Sequence, residues 1–163
     1  MKFYLTDRVL ELEPGKRLVA VKNLSLAEEY LQDHFPSYPV LPGVLMFEAM
    51  IQAAAWLERV TTDFAQSMVV LQEARNIKYG AFFRPGTQMR VSVELMKQSD
   101  DGLWSFKGVG ATGEQNNVQG RFTLRAFNLA DEDPSMAATD RGLLEAMRNR
   151  WSLIAPRPSL ASE

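Results

Sequence analysis

The segment 42–60 constrains the fold of this 163-residue chain more than any other part of its sequence. A Pro-Gly pair suits a first helical turn, and the residues that follow are mainly strong helix formers, so we predict a helix over this whole segment. In the run 44–57, only Glu48 and Gln52 are polar. A helix that is apolar on every face is a buried one, so the rest of the chain has to enclose it.

Most of the remaining sequence has strand character. Residues 3–24 are apolar and β-branched on both sides of a Pro-Gly-Lys turn, which predicts a hairpin. Strict alternation over 89–95 is typical of an antiparallel sheet with one face in water. Further strands are predicted at 68–80, 87–98, 103–115 and 117–129. The order of hairpin, helix and meander predicts an α+β fold, with an antiparallel β-sheet wrapped around one long central helix.

The composition changes at residue 130. An acidic linker, ADEDPSMAA, precedes an amphipathic pattern at 139–151, and the chain ends in a tail at 155–163 that we expect to be frayed. We therefore predict one domain over 1–129 and an extension over 130–163. Its helix is expected to pack on the domain or on a partner subunit rather than to carry chemistry.

Composition and motifs exclude several classes of protein. Without cysteine there is no disulfide scaffold, thiolate nucleophile or cysteine-ligated metal, and a single histidine rules out a multi-histidine metal site. A net charge of −2 with no dense Lys/Arg cluster argues against nucleic-acid binding. The sequence contains no P-loop, G-x-G-x-x-G or G-x-S-x-G motif. Early charged residues interrupt any signal-peptide core and the longest apolar run is short, so we expect a cytoplasmic protein without membrane insertion.

Glu48 is the most informative polar residue. A carboxylate enclosed by apolar groups raises its pKa and keeps its proton, which is what a proton donor near neutral pH requires. Gln52 lies one turn later on the same helix face, within reach of the carboxyl group. The alternative interpretation is that Glu48 makes a structural hydrogen bond or an interface salt bridge.

His34 begins a proline-stiffened loop that ends at the helix carrying Glu48. A rigid loop can hold an imidazole in one tautomer through a backbone carbonyl, although a lone histidine is often only structural. At the helix start, Gly43 leaves room for a ligand to approach the free N–H groups of Gly43 and Val44, where the helix dipole is positive. One base, one acid and one oxyanion site suit the abstraction of a proton next to a carbonyl group.

The run HFPSYPVLPGVLMFEAMIQAAAW resembles the signature of the hot-dog-fold 3-hydroxyacyl-[acyl-carrier-protein] dehydratases. The shared pattern is H-F-P, a spaced proline, P-G, and an acid fourteen residues after the histidine. TDRVLELEPGKRLVAVKNLS, before the loop, is similar to the opening hairpin of this family, and NIKYGAFFRPGTQMRVSVEL is similar to the strands after its helix. The resemblance covers about residues 3–127.

The resemblance implies a role for each matching residue. His34 would take the C2 proton of a (3R)-3-hydroxyacyl thioester, with the Val40 carbonyl orienting its ring. Glu48, assisted by Gln52, would protonate the departing 3-hydroxyl group. The two amides at the helix start would hold the thioester oxygen, and the product would be a trans-2-enoyl thioester of fatty acid or related lipid biosynthesis.

Partners follow from the same resemblance. The substrate would be carried on acyl carrier protein or coenzyme A, and no metal or organic cofactor would be needed. Such proteins form tight homodimers in which the histidine and the acid facing it come from different chains, and these dimers often assemble into hexamers.

Departures from the family pattern lie in the segment 79–87. The usual continuation resembles F-x-R-P-V-x-P-G-D, whereas this chain has YGAFFRPGT, which affects the acyl tunnel and the docking of carrier protein. Two sets of residues have both a functional and a structural interpretation: Met46, Tyr79, Phe82 and Phe83 as tunnel lining or core, and Arg75, Lys78 and Arg84 as a carrier-protein surface or solvated charges. Double-bond isomerisation is disfavoured, because that subgroup usually carries Asp at the acid position.

Two rival functions stay open. A hot-dog acyl thioesterase would use the helix acid to activate water and would not need the His34 loop. A non-catalytic acyl-binding subunit would show no turnover, and the presence of His34, Gly43, Glu48 and Gln52 argues against it.

Overall fold

The computed structural model describes residues 3–156 of the chain. The helices and strands are β1 (Arg8–Glu13), β2 (Arg17–Asn23), α1 (Gly43–Thr61), β3 (Met68–Tyr79), β4 (Gln88–Gln98), β5 (Leu103–Thr112), β6 (Gln115–Phe127) and α2 (Ala137–Ile154). Short 3-10 segments lie at Glu29–Leu31, Leu129–Asp131 and Pro134–Met136. The predicted central helix is therefore confirmed to within one residue at each end.

The six strands form one sheet in the order β1-β2-β4-β5-β6-β3, and every neighbouring pair is antiparallel. The predicted hairpin is β1 with β2, and the meander runs from β4 to β6. β3 pairs with β6 and lies at the edge opposite β1, so the loop after β3 crosses the sheet to reach β4. β1 and β3 are the two edge strands.

Helix α1 lies in the concave face of this sheet. Six of its apolar side chains are at most 4% exposed: Met46, Ala49, Met50, Ala53, Ala54 and Leu57. Each of the Met and Leu side chains among them contributes about 1.5–3 kcal/mol to the stability of the fold by its removal from water. Gly108 of β5 makes the close packing possible, because a Cβ there would lie 3.0 Å from the Met50 sulfur. An antiparallel sheet around one long central helix is the predicted architecture, so the α+β class and the hot-dog fold are confirmed.

One face of α1 is not covered by the sheet. Val44 is 67% exposed, and Phe47, Glu48, Ile51 and Gln52 are half-buried. The prediction of a helix enclosed on every side therefore holds for the second half of α1 and not for this face of its first half. The apolar pattern requires cover for this face, which residues 3–156 of one chain leave incomplete.

Helix α2 covers part of the second half of α1. The indoles of Trp56 and Trp151 lie 5.7 Å apart between ring centroids, and Ile154 is 2% exposed. Asp140 accepts hydrogen bonds from the Ser67 hydroxyl and from two backbone N–H groups just after β6, and these bonds, the Ser67 bond foremost, lower the pKa of its carboxyl group. Of the predicted tail, residues 157–163 lie outside the described part of the chain. The division into a domain and an extension stays a prediction.

Within residues 3–156, neither helix combines the length and the hydropathy that a membrane crossing requires.

Candidate active site

The His34 ring is fixed by the loop that it begins. Its Nδ1 lies 3.0 Å from the carbonyl oxygen of Val40. Because a carbonyl oxygen only accepts, Nδ1 carries the proton, and in the neutral ring Nε2 is left as an acceptor. Among residues 3–156, Nε2 has no hydrogen-bond partner. The ring is half-buried, so this nitrogen is available as a base.

Backbone contacts hold the loop against the fold. The N–H of Val40 donates to the His34 carbonyl at 3.3 Å, and the N–H of Leu41 donates to the Phe83 carbonyl at 2.9 Å. Val40 and Leu41 are 1% and 2% exposed, whereas Phe35, next to His34 at the other end of the loop, is 53% exposed. The apolar end of the loop is therefore anchored while its histidine end faces outward.

The start of α1 presents two free amides. The N–H groups of Leu45 and Met46 donate to the Pro42 carbonyl, but those of Gly43 and Val44 have no acceptor among the described residues. They lie at the positive end of the helix dipole, where an oxyanion is stabilised. The Tyr79 ring packs against Gly43 so closely that a Cβ there would lie 3.1 Å from Cδ1. This geometry suits the predicted oxyanion site.

Glu48 is held by Gln52. The Gln52 amide donates to Glu48 Oε1 at 3.0 Å and to the Phe3 carbonyl at 2.9 Å, and its oxygen accepts from the N–H of Leu5 at 2.9 Å. Every amide hydrogen of Gln52 is therefore used within the chain. Gln52 orients the acid and ties the N-terminal segment to α1, which leaves it little capacity to bind a substrate directly.

His34 and Glu48 do not meet within one chain. Glu48 lines a cavity of about 200 Å³ enclosed by the N-terminal segment, α1, β3 and α2, and His34 is not among the described residues that line it. Glu48 is half-buried rather than enclosed as the sequence predicted. Glu48 and His34, the predicted acid and base, therefore lie apart within a single chain.

A second acid in α1 was missed from the sequence. Glu58 is fully buried, and burial raises its pKa to about 7, partly offset by the charge of Arg59 and a hydrogen bond from Thr62. Arg59, 9% exposed, lines the cavity beside Glu48. The available signal was the continuation of the apolar pattern through this turn, which predicts that its charged residues are enclosed.

The residues with two interpretations divide by exposure. Met46 and Phe83 belong to the core, at 4% and 0% exposure, whereas Tyr79 and Phe82 are 50% and 64% exposed.

Of the three cations with two interpretations, Arg84 lies 4.5 Å from the centroid of the Tyr38 ring. The side chains of Arg75 and Lys78 extend from the edge strand β3, where Arg75 pairs with Glu73. Arg75, Lys78 and Arg84 stay candidates for a surface that binds the carrier protein.

Comparison with known proteins gives a consistent picture. A 3-hydroxyacyl-[acyl-carrier-protein] dehydratase FabZ from Symbiobacterium thermophilum is 36% identical over 133 residues, which cover 82% of this chain and 93% of that protein. A protein of the same name from Polaromonas naphthalenivorans is 44% identical over 108 residues, 64% of this chain and 74% of that protein.

Among solved structures, a chain of the dehydratase heterocomplex ApeI:P from Xenorhabdus doucetiae has the same fold. The TM-score is 0.65 at 19% identity, with 83% of this chain and 90% of that chain covered. A family model described as a FabA-like domain matches residues 1–120. On this match and on the identity with the FabZ proteins, the chain belongs to the family of FabA-like domains.

Proposed function

We propose that the protein is a 3-hydroxyacyl-[acyl-carrier-protein] dehydratase, a hydro-lyase of fatty acid or related lipid biosynthesis. The observation that carries the assignment is the His34 ring, whose Nδ1 is bonded to the Val40 carbonyl and whose Nε2 is left as a base. The family membership and the FabZ relatives support the same reaction.

The reaction removes a proton from C2 and the hydroxyl group from C3 of a (3R)-3-hydroxyacyl thioester. His34 Nε2 takes the C2 proton, and the free amides of Gly43 and Val44 stabilise the charge that develops on the thioester oxygen. Glu48 delivers its proton to the departing 3-hydroxyl group, which leaves as water and creates the trans-2 double bond. Gln52 keeps the Glu48 carboxyl group oriented through the bond to Oε1.

The proposal includes a homodimer with two shared sites. His34 of one chain faces Glu48 of the partner subunit, since the two side chains do not share a cavity within one chain. β3 is an edge strand of 12 residues whose first four are apolar, including exposed Val70 and Leu71, and exposed apolar residues on an edge strand favour pairing with another chain. Assembly of such dimers into hexamers is compatible with this arrangement and is part of the proposal.

Hydration of trans-2-enoyl carrier-protein thioesters, the reverse reaction, tests the proposal. Loss of absorbance of the enoyl thioester is followed for wild type, His34→Ala and Glu48→Gln over several chain lengths. Each substitution is expected to lower kcat by about 10²- to 10⁴-fold, the contribution of a general acid or base. Full activity of His34→Ala, or an inactive wild type at every length, would overturn the assignment. Thioester hydrolysis that survives in His34→Ala would instead identify a thioesterase.

A further inference from the structure

The cavity beside Glu48 extends along α1 beyond the reacting groups. Its walls come from α1, α2, β3 and the N-terminal segment, and they include Ile51, Ala55, Trp56, Val69 and Met147. Glu48, Gln52 and Arg59 follow one face of the helix at spacings of four and seven residues, so they line the cavity from one end to the other. At 1.5 Å per residue, the backbones of Glu48 and Arg59 are roughly 16 Å apart along the axis.

Arg59 brings an unpaired positive charge to this cavity. The residue is 9% exposed, its Nε is buried without a hydrogen-bond partner, and no described side chain forms a salt bridge with it. Its guanidinium lies 5.7 Å from the centroid of the Trp56 ring, one turn closer to Glu48, as expected for a helical side chain that points toward the N-terminus. An enclosed guanidinium stays protonated and is costly without an anion nearby.

Among the described residues, no acid forms a salt bridge with this cation. Glu58, next to Arg59 in the sequence, interacts with its charge but forms no salt bridge with it within 4 Å, and burial favours the neutral form of Glu58. Arg150 of α2 adds a second cation to the lining, and this guanidinium stacks on Tyr4 at 4.3 Å and donates to the Thr6 carbonyl. Of the lining residues between 3 and 156, Glu48 at the far end is the one acid.

A cavity with apolar walls, a reacting acid at one end and a buried guanidinium toward the other matches a particular kind of ligand. We propose that it binds the distal carboxylate of the acyl chain, so that the enzyme prefers 3-hydroxyacyl thioesters whose chain ends in a carboxylate over methyl-ended chains of equal length. This inference rests on the proposed dehydratase function. Arg59 forms charge-assisted hydrogen bonds with the carboxylate, and Ile51 and Trp56 contact the methylene groups.

The test compares two series of trans-2-enoyl carrier-protein thioesters, one ending in a carboxylate and one in a methyl group. Lengths of about six to twelve carbons bracket the span between Glu48 and Arg59. The readout is the ratio of kcat/KM for the two chain ends at each length. Wild type is expected to favour the carboxylate at one length, and Arg59→Met is expected to lower that ratio by about ten- to a hundredfold, as loss of a charged hydrogen bond predicts.

Two further variants complete the design. Arg148→Met removes one positive charge from α2 outside the cavity, where Arg148 pairs with Asp63, and leaves the ratio unchanged. Arg59→Lys keeps the charge and gives an intermediate ratio, which guards against a failure of Arg59→Met to fold. Methyl-ended turnover without any carboxylate preference overturns this inference alone. If neither series is turned over, the dehydratase assignment is overturned as well. If Arg59→Met loses activity equally on both series, Arg59 has a structural role and the inference is overturned.

Discussion

Gln52 donates a hydrogen bond to Glu48 at 3.0 Å while it also binds the backbone on both sides of Tyr4. One amide therefore connects the acid of the candidate site to the N-terminal segment. Because both of its side-chain amide hydrogens are used, we propose that Gln52 acts by position and decides where the Glu48 carboxyl group points.

Replacement of Gln52 by alanine is expected to lower kcat by roughly ten- to a hundredfold, because a misplaced acid loses alignment with the leaving hydroxyl group. Hydrogen exchange at the Leu5 amide should accelerate in the same variant, since its acceptor is lost. Steady-state hydration kinetics and exchange measured by NMR check the two effects. Gln98→Ala, at an exposed position of β4, is the matched control. If kcat is unchanged although exchange at Leu5 is fast, Gln52 plays no part in catalysis.

Gly43→Ala tests the oxyanion site. The added methyl group meets the half-exposed Tyr79 ring at 3.1 Å, which can shift, but it also occupies the approach to the two free amides. We expect kcat to fall by about 10²- to 10³-fold, as for loss of an oxyanion donor, with the melting temperature little changed. Gly142→Ala in α2 is the control. It meets nothing within 4 Å and should stabilise the helix by about 0.5–1 kcal/mol without affecting kcat.

The buried carboxyl group of Glu58 makes stability depend on pH. Its pKa is raised from 4.5 to about 7, chiefly by burial, so the folded state binds more protons than the unfolded state between these values. The stabilising effect of the protonated form is complete below pH 4.5 and is lost as pH rises through about 7. Urea unfolding of wild type should show this decline, on the order of 3 kcal/mol at most.

Glu58→Gln removes the titrating group and should abolish the decline in that pH range, so that the variant gains stability relative to wild type above pH 7. Glu145→Gln, at an exposed position of α2, should retain it. Parallel curves for wild type and Glu58→Gln would show that another group is responsible.

The exposed edge of β3 offers a test of the dimer. Val70 and Leu71 are 36% and 41% exposed in the single chain. Lysine at both positions is expected to yield monomers and to abolish activity, because like charges oppose pairing and each site needs two chains. Light scattering gives the mass, and Leu153→Lys, at a 73% exposed position of α2, is the control. A dimeric, active double variant would contradict the shared site.

The central helix was predictable from the sequence because a long, alanine-rich apolar run after Pro-Gly has few alternatives. The position of β3 was not. Its pairing with β6 joins residues far apart in the sequence, such as Val69 and Ala126, and strand patterns carry no information on which neighbour a strand selects.

The burial of the two acids in α1 also could not be predicted from the sequence pattern. Glu48 and Glu58 both interrupt an apolar helix, yet Glu58 is enclosed and Glu48 is half-buried. The pattern shows how apolar each face of the helix is and not what covers it. The sheet and α2 enclose the second half of α1, whereas residues 3–156 leave one face of its first half partly exposed. The contact between His34 and Val40, in contrast, followed from the family resemblance and is present at 3.0 Å.

Subunit complementation tests the central claim most directly. His34→Ala and Glu48→Gln, each inactive as a homodimer, are unfolded together, refolded and assayed for hydration of an enoyl thioester. A mixed dimer contains one site with an intact His34 and an intact Glu48 from opposite chains, so activity should return to roughly a quarter of the wild-type value, since half of random dimers are mixed. If the mixture stays as inactive as its components although mixed dimers form, His34 and Glu48 do not act across the interface, and the proposed site is wrong.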